Sequence, residues 1–242
     1  MPESKVPFIS TDQMREVDRA MIEDYGILLI QMMENAGREL ANLARSRFLN
    51  GDPRGRTVTV LAGTGGNGGG GLVCARRLHN WGAQVQVWLS ASASKLAEVP
   101  RHQLTVIERM GVQVEIAGDD PDLAPADLIV DALIGYSLSG APSGGSASLI
   151  WAANDHGAPV LALDVPSGVD TTTGIVYDPA VRATTTLTLA LPKEGLREDS
   201  AREHTGELYV ADIGVPPGIY SRSPIGLEVG PVFARNELVR LW

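Results

Sequence analysis

Apolar residues in the first fifty positions recur every three or four residues and predict two amphipathic helices. The first helix has Met14, Val17 and Met21 on one face, and Ser10 with Gln13 forms a capping box that marks its start. The second helix carries its apolar and small residues at Ile30, Met33, Gly37, Leu40 and Ala44. We therefore expect both helices to precede the first strand of the sheet.

From residue 57 onward, short apolar runs alternate with helical patterns. Runs typical of buried strands are TVTVLA (57–62), QVQVWL (84–89), VQVEIA (112–117), DLIVDAL (127–133) and PVLALD (159–164). Helical patterns separate them, from about Leu72, from about Leu96 to Met110, and around residues 147–157. Continuous β-branched runs joined by single helices are typical of a parallel sheet covered on both faces. Two more runs, at 183–191 and 206–214, predict strands near the sheet edge.

The chain length favours one compact domain. A protein of 242 residues, 44% of them hydrophobic, can bury a sizeable core. We find no internal repeat and no linker, so we predict a single domain over residues 1–242. Its core should run from about residue 11 to 214. The C-terminal tail from Val215 is rich in proline and should wrap irregularly around the surface.

Charge and cysteine content exclude several classes of protein. The formal net charge is −9 and the basic residues form no cluster, which argues against nucleic-acid and anionic-membrane partners. Cys74 is the only cysteine, so no intrachain disulfide can form. The N-terminus lacks the apolar core of a signal peptide, and no apolar run is long enough to span a bilayer. We expect a soluble cytoplasmic protein.

Residues 63–71 read GTGGNGGGG and follow the first strand directly. Gly63, Gly65 and Gly68 match the G-x-G-x-x-G pattern of dinucleotide-binding turns. No acidic residue follows until Glu98, whereas a conventional NAD fold places one about 20 positions on to bind the ribose. A conventional NAD-dependent oxidoreductase is therefore the least favoured of the functions that fold analogy leaves open. Seven glycines exceed what a tight turn needs and predict a ligand close to the backbone.

Three charged residues follow predicted strands and are candidates for the same site. Asp131 and Asp164 each end a buried run beside a loop of small residues, and the carboxyl ends of parallel strands share one edge of the sheet. A lone loop Asp is more often a cap or turn former, but two in equivalent places favour a functional site. Lys193 follows a strand and a proline. It could reach this edge and bind an anion, or it could be a solvated surface lysine.

Five motifs together resemble the NAD(P)H-hydrate epimerase family, the YjeF N-terminal domain. They are MMENAG, the glycine loop, DALIGYSLSG, LDVPSGVD and LPKEG, and the match as a whole runs from about Thr11 to Gly214. The resemblance implies an α/β fold, a Rossmann-like three-layer αβα sandwich with a mostly parallel sheet, usually as a homodimer. It also implies an isomerase that interconverts the R and S hydrates of NADH and NADPH. A separate NAD(P)H-hydrate dehydratase, which we do not expect to be fused to this chain, would then repair the S form.

The resemblance also implies a set of site residues. One substrate-binding loop falls on Gly66, Asn67, Gly68, Gly69 and Gly70. A second falls on Gly135, Tyr136, Ser137, Leu138, Ser139, Gly140 and Ala141, and Asp164 matches a carboxylate that contacts the substrate. The implied cofactor is K+, with Asn67, Asp131 and Ser167 as ligands. Because epimerisation of a hydrated carbon needs a proton donor and acceptor, Asp164 and Lys193 are the catalytic candidates.

The glycine loop departs from the family pattern at two positions. That pattern usually reads G-x-G-N-N-G-G-D-G, whereas Gly66 and Gly70 stand here in place of the first Asn and the Asp. An amide and a carboxylate are thus missing. An active epimerase is the favoured hypothesis. The alternative is a catalytically weakened or inactive homologue that acts as a nucleotide-binding or protein-interaction module.

Overall fold

The apolar runs form the strands of a single sheet in the computed structural model, which describes residues 6–242. The strands are β1 (Thr57–Ala62), β2 (Gln84–Leu89), β3 (Gln113–Ile116), β4 (Leu128–Ala132), β5 (Val160–Leu163), β6 (Thr185–Leu189), β7 (Glu207–Ala211) and β8 (Leu238–Arg240). Their order is β3-β2-β1-β4-β5-β6-β7-β8. All neighbours are parallel except β7 and β8. The predicted mostly parallel sheet is confirmed. The strand order reverses between β1 and β4, as in a Rossmann-like fold.

The helices lie between and around these strands. In the described part of the chain they are α1 (Thr11–Arg19), α2 (Leu29–Leu43), α3 (Gly66–Asn80), α4 (Glu98–Arg109), α5 (Gly144–Asp155), α6 (Asp199–Thr205) and α7 (Pro217–Tyr220). The predicted capping box is present, because the Ser10 hydroxyl accepts from the Gln13 amide and the Gln13 side chain accepts from the Ser10 amide. Helix α1 continues as one π-helical stretch from Ala20 to Asp24.

Helices cover both faces of the sheet, which confirms the three-layer sandwich. On one face, α2, α3 and α4 pack on alternate side chains of the strands, such as Val58 and Val60. On the other face, α5 packs on residues such as Leu61 and Ile129, and α6 packs on β7. Burial of both faces explains why every residue of β4 and β5 is buried, rather than every second residue. Helices α1 and α7 form a separate apolar cluster beside the ends of β6 and β7.

Two predicted boundaries are wrong. Helix α3 begins at Gly66 rather than at Leu72, so most of the glycine run is helical. Glycine is a poor helix former, but it is used where backbones approach closely: a Cβ atom at Gly37 would lie 2.5 Å from the Gly70 carbonyl oxygen. The tail is also less irregular than predicted, since it contains α7 and the edge strand β8.

Two further predictions concern the whole chain. The single domain predicted over residues 1–242 includes residues 1–5, which lie outside the described part. Over residues 6–242, each helix is too short or too polar to serve as a membrane span.

Candidate active site

A cavity of about 290 Å³ lies at the carboxyl edge of the sheet, where β4, β5 and β6 end. Helices α1 and α2 contribute residues to it, as do the N-terminus of α3 and the segments after the three strands. Its lining residues are Met14, Asp18, Leu29, Met32, Met33, Ala36, Gly66, Asn67, Gly135, Tyr136, Ser137, Leu163, Asp164, Leu189, Lys193 and Ile213. Ligands of open α/β sheets bind at this edge, so the cavity is the candidate active site.

Asp164 and Lys193 form a buried ion pair in the cavity wall. Their side chains are 3% and 1% exposed. The Lys193 ammonium donates to a carboxylate oxygen of Asp164, and also to the Leu189 carbonyl oxygen at 3.0 Å. The alternative interpretation of Lys193 as a solvated surface lysine is therefore wrong. A buried ammonium is tolerated because the carboxylate compensates its charge, and each group depends on the other for that compensation.

Asp131 lies in a different environment although it also belongs to a strand end. It is fully buried and does not line the cavity. Its carboxylate accepts from the Ser167 amide at 2.8 Å, from the Ser167 hydroxyl at 2.7 Å and from the Leu133 amide at 3.1 Å. Burial raises the pKa of Asp131 to about 6, and the hydrogen bonds from Ser167 and Leu133 oppose that rise. The three donors satisfy the carboxylate from within the protein.

Asn67 lies in the first turn of α3 and faces the segments after β4 and β5. Its amide nitrogen donates to the Leu163 carbonyl oxygen at 2.8 Å. This contact turns its amide oxygen toward Gly135, where a Cβ atom would lie 2.7 Å from that oxygen. The Ser167 hydroxyl accepts from the Ile134 amide at 2.9 Å. The side chains predicted to bind K+ thus gather around the segment that follows β4, with Asn67 on the cavity side.

The first predicted substrate loop is divided by the fold. Gly66 and Asn67 line the cavity, whereas Gly68, Gly69 and Gly70 are buried and do not line it. The first two therefore face the space that a ligand would occupy, and the other three belong to the interior of the fold.

The two positions that depart from the family pattern differ in the space around them. A Cβ atom at Gly70 would lie 2.9 Å from a methyl carbon of Leu163, so a side chain there requires Leu163 to move. At Gly66 the nearest side-chain atom, the Met33 methyl carbon, would lie 3.8 Å away. Position 66 thus accepts a side chain and position 70 resists one.

The second predicted loop contributes its first three residues. Gly135, Tyr136 and Ser137 line the cavity. The remaining residues lie outside the lining: Leu138, Ser139, Gly140 and Ala141. The segment after β4 therefore meets the cavity where it leaves the sheet.

The sequence interpretation missed Asp18, which the fold brings into the cavity from α1. The Tyr136 hydroxyl donates to its carboxylate. Burial raises the pKa of Asp18, while the hydrogen bond from Tyr136 and the charge of Lys193 oppose the rise. A signal was present in the sequence, since Asp18 occupies the helical stripe of Met14 and Val17, where an apolar residue is expected.

The apolar side of the cavity was also missed. It consists of Met14, Leu29, Met32, Met33, Ala36 and Ile213. Apolar residues on amphipathic helices are ordinary core residues by pattern alone, so only the packing shows that these face a cavity.

Comparison with known proteins agrees with this geometry. The model of the family described as YjeF-related protein N-terminus matches residues 29–195. The NAD(P)H-hydrate epimerase of Dehalogenimonas lykanthroporepellens is 47% identical over 233 residues, covering 96% of this chain and 92% of that protein. The bifunctional NAD(P)H-hydrate repair enzyme Nnr of Moorella thermoacetica is 36% identical over 86% of this chain, which spans 40% of that relative's length.

A solved structure supports the same assignment. The crystal structure of yeast ynu0 superposes with a TM-score of 0.82 and 25% sequence identity, covering 97% of this chain and all of that one. The similarity therefore includes the sheet, both helical layers and the segments that build the cavity. On these grounds the chain belongs to the YjeF-related protein N-terminus family.

Proposed function

We propose that this protein is an isomerase, an NAD(P)H-hydrate epimerase that interconverts the R and S hydrates of NADH and NADPH. The observation that carries the proposal is the buried Asp164–Lys193 ion pair in the wall of the cavity. The 47% identical relative that bears this name supports it. The cavity volume of about 290 Å³ is at the low end for small-molecule sites. We propose that it receives the hydrated nicotinamide end, with the diphosphate outside it near the N-terminus of α3.

The reaction requires charge and protons in defined places. When the hydroxyl leaves the hydrated ring carbon, it takes a proton, and the nitrogen lone pair forms a cationic C=N bond. Water then adds to the other face and loses a proton. The Asp164 carboxylate can stabilise the ring cation and accept the proton of the incoming water. Lys193 donates a hydrogen bond to that carboxylate, compensates its charge and orients it.

The function is tested by a coupled assay with mixed R and S hydrates and an S-specific dehydratase. An epimerase makes the whole mixture disappear faster than spontaneous epimerisation allows. The Asp164→Asn variant, assayed in parallel, should leave the R hydrate behind. If the wild-type protein leaves the R hydrate to decay at the spontaneous rate, the proposal fails and the inactive-homologue alternative takes its place.

We also propose K+ as the cofactor, held by Asn67, Asp131 and Ser167. The donor set supports this, because amide, carboxylate and hydroxyl oxygens suit a hard cation. When bound, the ion would fix the segments after β4 and β5 that border the cavity. Thermal melting tests the site without reference to activity: KCl should raise the midpoint above that in choline chloride at equal ionic strength, and Asp131→Asn should abolish the difference. An equal midpoint in both salts for the wild-type protein contradicts the site.

Two partners complete the proposal. We propose functional coupling to an NAD(P)H-hydrate dehydratase, which the names of the bifunctional relatives support. We also propose a homodimer. Exposed apolar side chains around the turn between α1 and α2, namely Ile22, Tyr25 and Leu28, support an interface there. Analytical ultracentrifugation should give twice the chain mass for the wild-type protein and the mass of one chain for Leu28→Glu. A monomeric wild-type protein would contradict the proposed homodimer.

A further inference from the structure

A second pair of polar groups meets in the cavity, separate from Asp164 and Lys193. Asp18 comes from α1 and Tyr136 from the segment after β4, 118 residues later in the chain, and the Tyr136 hydroxyl donates to the Asp18 carboxylate. Both residues line the cavity. This hydrogen bond is not needed to explain how α1 packs, because apolar residues such as Met14 and Val17 already bury one face of the helix.

A carboxylate is costly at this position of α1. The neighbouring positions of the stripe, Met14, Val17 and Met21, are buried in an apolar cluster. An apolar residue at position 18 would extend that cluster, whereas Asp loses solvation there. Stability alone does not account for Asp18. Within residues 6–242, the one side chain of another element that forms a hydrogen bond with Asp18 is the cavity residue Tyr136.

Burial of this pair favours the forms that carry a proton. Burial raises the pKa of Asp18, and burial followed by the nearby Asp18 charge raises the pKa of Tyr136. The other groups that act on them are Lys193 and Asp164 in the same cavity and Arg15 on α1. The phenol therefore keeps its proton, and Asp18 is a carboxyl group that can take one up and release it.

Epimerisation makes a demand that one carboxylate meets poorly. The hydroxyl leaves from one face of the ring and water returns to the opposite face, so protons must be handled on both sides. We infer that Asp18 and Tyr136 form a second proton-transfer unit. Tyr136 contacts the substrate oxygen at one face of the ring, and Asp18 positions Tyr136 and returns a proton to it. Asp164 transfers the proton at the other face. This inference rests on the proposed epimerase function.

The proton balance closes without any further reactant. Tyr136 gives its proton to the departing hydroxyl, the C–O bond breaks, and the ring nitrogen lone pair forms the C=N bond. Protonated Asp18 returns a proton to Tyr136. Water then forms a C–O bond on the opposite face, the C=N electron pair returns to nitrogen, and Asp164 accepts the proton of the water. One proton has moved from Asp18 to Asp164. Before the next turnover Asp164 gives that proton to bulk water and Asp18 takes one from bulk water, so the enzyme is restored and nothing is oxidised or reduced.

The test uses Asp18→Asn and Tyr136→Phe, singly and together, in the coupled assay. Asn has the shape of Asp and still accepts a hydrogen bond from Tyr136, but it cannot exchange a proton, so a purely structural role predicts little change in kcat. We expect each single variant to lose about 100-fold in kcat with KM within about threefold, and the double variant to be no worse, as for residues that act as a unit. The matched controls Asp12→Asn, exposed on the same helix, and Tyr209→Phe, on β7, should keep wild-type kcat.

The outcomes separate this inference from the function on which it rests. If the wild-type protein is active and Asp18→Asn keeps kcat within about threefold, the second unit is overturned and the epimerase proposal stands. If the wild-type protein does not accelerate epimerisation, both fail. Should thermal melting show that Asp18→Asn is unfolded, Tyr136→Phe decides alone, because it keeps the ring packing: a loss of kcat supports the unit and wild-type kcat overturns it.

Discussion

Asp131 and Asp164 occupy nearly equivalent places in the sequence and very different ones in the molecule. They lie at the carboxyl ends of the neighbouring strands β4 and β5, which pair so that Asp131 stands beside Ala162. Asp164 turns to the cavity and pairs with the Lys193 ammonium. Asp131 turns inward and accepts three hydrogen bonds from uncharged donors of Ser167 and Leu133.

The contrast shows that a strand-end carboxylate acquires its role from its neighbours. The Lys193 ammonium compensates the charge of Asp164 in the cavity wall, whereas uncharged donors hold Asp131 in the interior beside the cavity. Two carboxylates on one edge can therefore do different work. Each of the following substitutions tests one side of this contrast.

Asp164→Asn should have the largest effect. It removes the charge that compensates the buried Lys193 ammonium, so the free energy of unfolding should fall by about 3 kcal/mol. Epimerase kcat should fall by about 100-fold or more. Asn is preferred over Ala here because Asp164 has φ of 69°, a left-handed conformation that Asn tolerates. Urea unfolding and the coupled assay measure the two effects, and an unchanged free energy of unfolding would show that Lys193 has another source of compensation.

The double variant Asp164→Asn, Lys193→Met should separate stability from activity. With both charges removed, no group is left buried and uncompensated, so most of the lost stability should return. Activity should remain as low as in Asp164→Asn. Lys193→Met alone is the matched single variant, because it leaves the Asp164 carboxylate buried without a counter-charge. Recovery of turnover in the double variant would mean that the ion pair is structural only.

Asp131→Asn should have a smaller effect. It turns one acceptor oxygen into a donor that faces the Ser167 and Leu133 donors, which should lower the free energy of unfolding by about 1–3 kcal/mol. Turnover should fall less than in Asp164→Asn, because Asp131 does not line the cavity. Both variants are compared by urea unfolding and in the same assay. A larger loss of kcat for Asp131→Asn than for Asp164→Asn would reverse the roles assigned to the two carboxylates.

The last two substitutions restore side chains at positions 70 and 66, where the glycine loop departs from the family pattern. Gly70→Asp would press against Leu163, the residue before Asp164, and should lower the free energy of unfolding by about 1–3 kcal/mol without raising activity. Gly66→Asn, its matched control in open space, should change it by about 0.5 kcal/mol or less. A gain of epimerase activity in Gly70→Asp would instead identify a decayed site, and thermal melting with the coupled assay distinguishes the outcomes.

The arrangement of the sheet was predictable because burial on both faces leaves a direct mark on the sequence. Continuous apolar runs located β1 to β7, and their alternation with helices indicated parallel pairing. The start of α3 was not predictable from propensity. Glycines at the start of α3 disfavour a helix locally, and only the close packing against neighbours such as Met33 and Ala132 explains why they form one.

The site was predictable only in part for a similar reason. Strand ends brought Asp131 and Asp164 to one edge, as the parallel topology requires. Whether Lys193 was buried could not be decided, because that depends on how Asp164 is turned. Asp18 was missed because it belongs to none of the motifs, and only the packing of α1 brings it to its partner Tyr136.

The left-handed backbone at Asp164 and its ion pair with Lys193 affect how related sequences should be interpreted. Backbone geometry favours Asp, Asn and Gly at this position, and the buried Lys193 ammonium then favours Asp among the three. Natural selection for a folded protein would thus retain this carboxylate in lineages that no longer require catalysis. Aspartate at position 164 therefore does not by itself indicate an active enzyme. Residue 18, to which we assign a proton-transfer role, is the more informative position.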